Sequence, residues 1–122
     1  MASLSPKPMI LALLLGTLLQ VAMVVIGHAT VAVASLFAPL GMAISLIAGF
    51  LYGRWARTSR GSAVLGGAIV GGLCALIGIA VSYYLGDVQA SILFLGTLSS
   101  AFTGAIGGLI GEVVGGRTPT SA

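Results

Sequence analysis

The sequence predicts an all-α integral membrane protein of four transmembrane helices, packed as a tight glycine-rich bundle with both termini cytoplasmic. Three observations predict it. The 122 residues include only five basic and two acidic side chains, 6% charged against 58% hydrophobic, and the mean hydropathy is +1.19. A soluble domain carries about 25% charged residues, so this chain has too little polar surface to cover a water-facing fold. Disorder is excluded by the same figures, because disordered chains are poor in apolar residues and rich in charge. The second observation is that charges interrupt the chain only at intervals that fit bilayer crossings. The third is a content of nineteen Gly, a density that costs helix stability in water but permits close helix contact in lipid.

Each element follows from a charge-free run. Residues 8–53 carry no charge; as one helix they would extend about 70 Å against a hydrocarbon core of about 30 Å, so they cross twice. Gly27-His28-Ala29-Thr30 supplies the turn, with a Gly able to end one helix and a Thr able to cap the next. Helices are therefore expected over residues 9–26 and 30–52. Residues 61–86 and 88–111 are each long enough for one span. They place helices over 62–85 and 89–114, joined by a Gly86-Asp87 turn in which Asp87 can act as an N-cap. The whole chain, 1–122, reads as one domain.

Basic residues check the count. Lys7 precedes the first span, Arg54, Arg57 and Arg60 lie in the middle loop, and Arg117 follows the last span. Four helices with both ends inside put all five on the cytoplasmic side, as short basic loops require, and leave only His28 and Asp87 outside. An odd number of helices would split the basic set. Lys7, the apolar run and Ala32-Val33-Ala34 imitate a secretory signal with its cleavage site. The apolar stretch is longer than a signal's core, so an uncleaved first helix is expected. The location expected for such a chain is a bacterial cytoplasmic membrane.

The helix faces sort by size. On the fourth helix Ser100, Gly104, Gly107, Gly108, Gly111 and Gly115 fall within an arc of about 100°, opposite Leu95, Leu98, Phe102, Ile106, Leu109 and Val113. The third helix sets Ala63, Gly67, Gly71, Cys74, Ala75, Gly78 and Ser82 against Leu65, Ile69, Leu73 and Leu76. The second sets Ala34, Ala38, Gly41, Ser45, Ala48 and Gly49 against Leu36, Leu46, Ile47 and Phe50. The small faces are expected to pack and the bulky faces to meet lipid. A glycine zipper at Gly107, Gly111 and Gly115 is the strongest pattern, with Gly67 and Gly71, and Gly41, Ser45, Gly49 and Gly53, beside it. A shift of 63 residues also aligns Gly41, Ser45, Ala48, Gly53 and Arg54 with Gly104, Gly108, Gly111, Gly116 and Arg117, a weak sign of two parallel hairpins.

Chemistry is scarce in this inventory. Glu112 is the best candidate for a proton or ion site, because carboxylates within membranes are costly and mark such routes. Its place near the end of the last helix favours an ion pair with Arg54, Arg57, Arg60 or Arg117 instead. Gln20 is the only other strongly polar side chain inside a span, and an interhelical hydrogen bond accounts for it. His28 lacks neighbouring ligands in sequence and reads as a polar turn residue, and the single Cys74 lacks partners for a disulfide or metal site. Trp55 and Arg60 mark an interface with lipid, and three Arg residues form too small a footprint for nucleic acid.

No nucleophile–base pair, metal site or cofactor motif can be assembled. The expected function is that of a small non-catalytic membrane protein that works through helix packing, as a homo-oligomer or as an accessory subunit. Its partners are then the lipid bilayer and other transmembrane helices. The alternative is a small oligomeric channel or transporter for an ion or small solute, lined by Gly and by the hydroxyls of Ser45, Ser82, Ser100 and Thr103, since hydroxyls and carbonyls can coordinate ions without charge.

Overall fold

The computed structural model describes residues 6–115. It is all-helical: α1 spans Pro6–Ala29, α2 Val31–Ala34, α3 Phe37–Ala56, α4 Arg60–Tyr84 and α5 Ala90–Gly115. All but α2 are long and apolar enough to cross a membrane, so the chain is an integral membrane protein. Gly116 and Arg117, which complete the proposed repeat and the basic tail, lie outside the described residues.

The boundaries differ from the expected ones for identifiable reasons. The first helix does not stop at Gly27 but runs to Ala29, with Gly27 buried in its last turn. Thr30 is the break, extended at φ −135°, ψ 108°, and its side chain makes no capping bond. The second span starts at Phe37, not at Thr30, after the separate turn α2. Pro39 explains this: in a continuous helix its ring would clash with the carbonyl of Ser35, whereas in the first turn of α3 its missing N–H has no partner to lose. At the other end α3 continues past Tyr52 to Ala56, because Arg54 can extend its charge to the interface from within a helix. Arg57, left-handed at φ 50°, stops it.

Ser59 caps α4, its hydroxyl accepting from the Ser62 N–H at 3.3 Å, so this helix begins two residues before the expected start. The α4–α5 turn uses Gly86 at φ 83°, a conformation that glycine adopts without steric cost. Since α5 begins at Ala90, Asp87 stands too far upstream to cap it. The expected cap is corrected on that ground, and Asp87 takes another partner.

The order of contacts along each pair sets the directions. Gly49 meets Gly104 and Gly53 meets Gly108, so α3 and α5 run parallel. Gly71 meets Gly104 and Gly67 meets Gly108, so α4 and α5 run antiparallel. Both α1 and α5 pack on the α3–α4 pair, from opposite sides. The chain therefore goes up, down, up and down, and both ends of the described chain lie at the end of the bundle that carries Arg54, Arg57 and Arg60.

Residues of the small faces supply these contacts. A Cβ built on Gly71 would stand 2.8 Å from the Gly104 Cα, and one on Gly67 2.9 Å from the Gly108 Cα, closer than real side chains approach. Added atoms on Gly107 and Gly111 would strike the carbonyl oxygens of Leu46 and Phe50, and those on Gly49 and Gly53 the carbonyls of Gly104 and Gly108. Gly115 lies along the stem of Arg54, and Gly41 has only ordinary contact with Gln20 and Met23. Leu98, Phe102, Ile106 and Val113 are exposed on the outer face of α5, as are Leu65, Leu73 and Leu76 on α4; Leu95, expected with them, is exposed but lies beside the α3 side of the helix.

A glycine substitution tests this packing directly. Gly49→Ala places a methyl against backbone that cannot yield, and should lower resistance to SDS unfolding by about 1–3 kcal/mol. Gly61→Ala, with nothing within 4 Å of the added methyl, should be neutral or stabilising by up to about 1 kcal/mol. Equal behaviour of the two variants would remove the contact between α3 and α5.

Candidate functional site

Polar side chains occur at three levels of the bundle. At the arginine end, Glu112 is one turn from the end of α5 and only 3% exposed, while Arg60 opens α4. The Arg60 Nε donates to Glu112 Oε1 at 3.1 Å. Arg54, Arg57 and Trp55 are exposed at the same end. The fold thus joins Glu112 with Arg60 from the expected set of basic partners, across the α4–α5 hairpin, and leaves its carboxylate shielded by the bundle.

Midway, one buried network ties three helices. Gln20 of α1 is 2% exposed, and its Nε2 donates to the Gly41 carbonyl at 3.0 Å and to Ser45 Oγ at 3.2 Å, both on α3. Ser45 Oγ in turn donates to the carbonyl of Gly71 on α4 at 3.1 Å. Cys74 Sγ donates to the same carbonyl at 3.4 Å and lies 3.9 Å from both Gln20 Nε2 and Ser45 Oγ. These groups have no water to turn to inside a bilayer, so their satisfaction fixes the rotation of α1 against α3 and α4.

The other end holds a pair that the sequence reading missed. His28 Nδ1 and Asp87 Oδ2 are 2.9 Å apart, and they link the end of α1 to the turn between α4 and α5. His28 therefore has a carboxylate neighbour, contrary to the expectation from its sequence surroundings. The available signal was topological: an up-and-down bundle puts the first and last inter-helix turns at one end, where His28 and Asp87 are the only His, Lys, Arg, Asp or Glu among the described residues.

Between this pair and the Gln20 network lies a cavity of about 460 Å³. It opens between the parallel helices α3 and α5 on the N-terminal side of their backbone contacts, which involve Leu46 and Gly49 of α3 and Gly104 and Gly107 of α5. Ala38 and Met42 wall it on α3, Ile92 and Leu95 on α5, and α1 and α4 close it behind with Met23 and Ile79. Gln20, Ser82 and Ser100 are its buried polar residues and Asp87 stands at its rim. Ser82 Oγ is buried without a hydrogen-bond partner among the described residues.

Of the hydroxyls expected to line a pathway, Ser82 and Ser100 reach this cavity. Ser45 is held by Gly71, and Thr103 donates to the Ser99 carbonyl at 2.7 Å. Comparison with known proteins gives no match: no family model, no curated protein sequence and no solved structure matches the chain.

The network has a measurable coupling. Gln20→Leu and Ser45→Ala should each lower stability by about 1 kcal/mol, the scale of interhelical hydrogen bonds in membranes. Because they remove the same bond, the double variant should cost less than the sum of the two, as measured by SDS unfolding. Additive effects would show that the bond contributes nothing.

Proposed function

We propose that the chain is a non-catalytic membrane protein whose glycine zippers act within one copy, and that it serves as an accessory subunit beside other transmembrane helices. The observation that carries this reading is the direction of the glycines. Gly49, Gly67, Gly71, Gly104, Gly107, Gly108 and Gly111 all meet backbone of the same chain. Since small-residue stripes are chiefly packing devices, stripes already engaged are not available to hold a second copy. The outer surface is Leu, Ile, Val and Phe, suited to lipid or to a partner's helices. With Arg54, Arg57 and Arg60 at one end, the positive-inside rule orients that end toward the cytoplasm, in keeping with a bacterial cytoplasmic membrane.

A second reading, a small channel or transporter, draws on the cavity and its hydroxyls. In a single copy, however, the backbone contacts of α3, α4 and α5 lie directly below Ser100, and the cavity ends there. The two readings differ in stoichiometry and flux. Native nanodiscs should contain one copy of this chain beside other membrane proteins, with no proton or monovalent-cation flux after reconstitution of the pure protein. Gly111→Leu should destroy the fold, whereas Val113→Leu, on the exposed face, should leave it intact. A mass corresponding to several copies that falls to one in a still-folded Gly111→Leu variant would contradict the proposal, and robust wild-type flux would replace it with the second reading.

A further inference from the structure

We infer that the cavity beneath the His28–Asp87 pair is a binding site for an amphipathic organic cation, its apolar body between α3 and α5 and its charge beside Asp87. Size and shape come first. The volume of about 460 Å³ falls within the range of small-molecule sites. From Ile92 to Ser100 along α5 the wedge is about 12 Å deep, which suits an elongated body better than a globular one. Its walls are aliphatic with a few placed polar groups, the composition that binds apolar bodies and orients their ends.

Charge selects the class. Asp87 is the only ionisable side chain among the described residues of the cavity wall, and its hydrogen-bond partner His28 stands outside that wall. The described basic residues Lys7, Arg54, Arg57 and Arg60 are at the opposite end of the bundle, about 35 Å away by the length of α4. Helix dipoles do not offset this. The N-termini of α3 and α5 and the C-termini of α1 and α4 meet at the cavity end, so their partial charges cancel to first order. The carboxylate is left to set the sign, and it favours a cation and disfavours an anion. Phe37 adds an aromatic ring to the walls, a group that attracts organic cations, and Met23 and Met42 add two adaptable, polarisable thioethers.

The methionines also report on the site. Met23 and Met42 line the cavity, whereas Met9 packs near the core at the arginine end. The test is methyl NMR of methionine-labelled protein in phosphatidylcholine nanodiscs, titrated with three probes that share a body and differ in charge: phenylbutyltrimethylammonium, phenylbutanol and phenylbutanesulfonate. The cation should shift Met23 and Met42 saturably and leave Met9 in place, with the alcohol and the sulfonate at least about fivefold weaker. Asp87→Asn should weaken the cation about fivefold and leave the alcohol unchanged, while His28→Asn, which keeps the carboxylate, should retain cation binding. Ala38→Phe, which fills the mouth from an exposed position, should abolish binding of all three. Equal affinities for the three probes would make the wedge a slot for a neutral lipid chain and overturn the inference. So would an Asp87→Asn variant that binds the cation as tightly as wild type, or methyls at Met23 and Met42 that respond to none of the probes.

Discussion

Backbone contact between α5 and the α3–α4 pair is the constraint on which the other features rest. Lipid offers no hydrophobic drive for helix association, so the helices must gain attraction from many short contacts, and those are possible only where side chains are absent. Here both partners contribute glycine: Gly67 and Gly104 each face the other's carbonyl, and Gly71 faces the Cα of Gly104. The bulky residues are turned outward by the same geometry, because a helix that buries its small face must expose its large one. The apolar surface is thus a consequence of the packing and not a separate feature.

The polar groups then act on a frame already brought close. Gln20 can reach Gly41 and Ser45 because Gly16 lets α1 settle against Ala48 and Cys74, where an added Cβ would stand 2.9 Å and 3.2 Å from their Cβ atoms. Glu112 can be buried because Gly108 and Gly111 beside it hold α5 against its neighbours and bring Arg60 within 3.1 Å. Where the small faces give way to Met42, Ile92 and Leu95, the cavity opens between α3 and α5. Close contact at one end and separation at the other are two results of one residue pattern.

Much of this was legible in the sequence. The charge-free runs marked four crossings, and the spacing of Gly104, Gly107, Gly108 and Gly111 marked the face of α5 that is buried. Three features were not legible, each for a physical reason. The break before Phe37 depends on the clash of Pro39 with the carbonyl of Ser35, which charge counting ignores. The His28–Asp87 pair joins residues far apart in sequence that only the fold brings together. The cavity depends on where two parallel helices diverge, and a face pattern read one helix at a time does not contain that information.

In this structure the glycine contacts are made within a single chain, and one measurement tests this most sharply. Nuclear Overhauser effects between the Hα protons of Gly71 and Gly104 should appear in uniformly labelled protein in nanodiscs, and should persist unchanged when labelled chains are diluted into unlabelled ones. Loss of those signals on dilution, with their appearance only in samples filtered for contacts between labelled and unlabelled chains, would show instead that the glycines join separate copies.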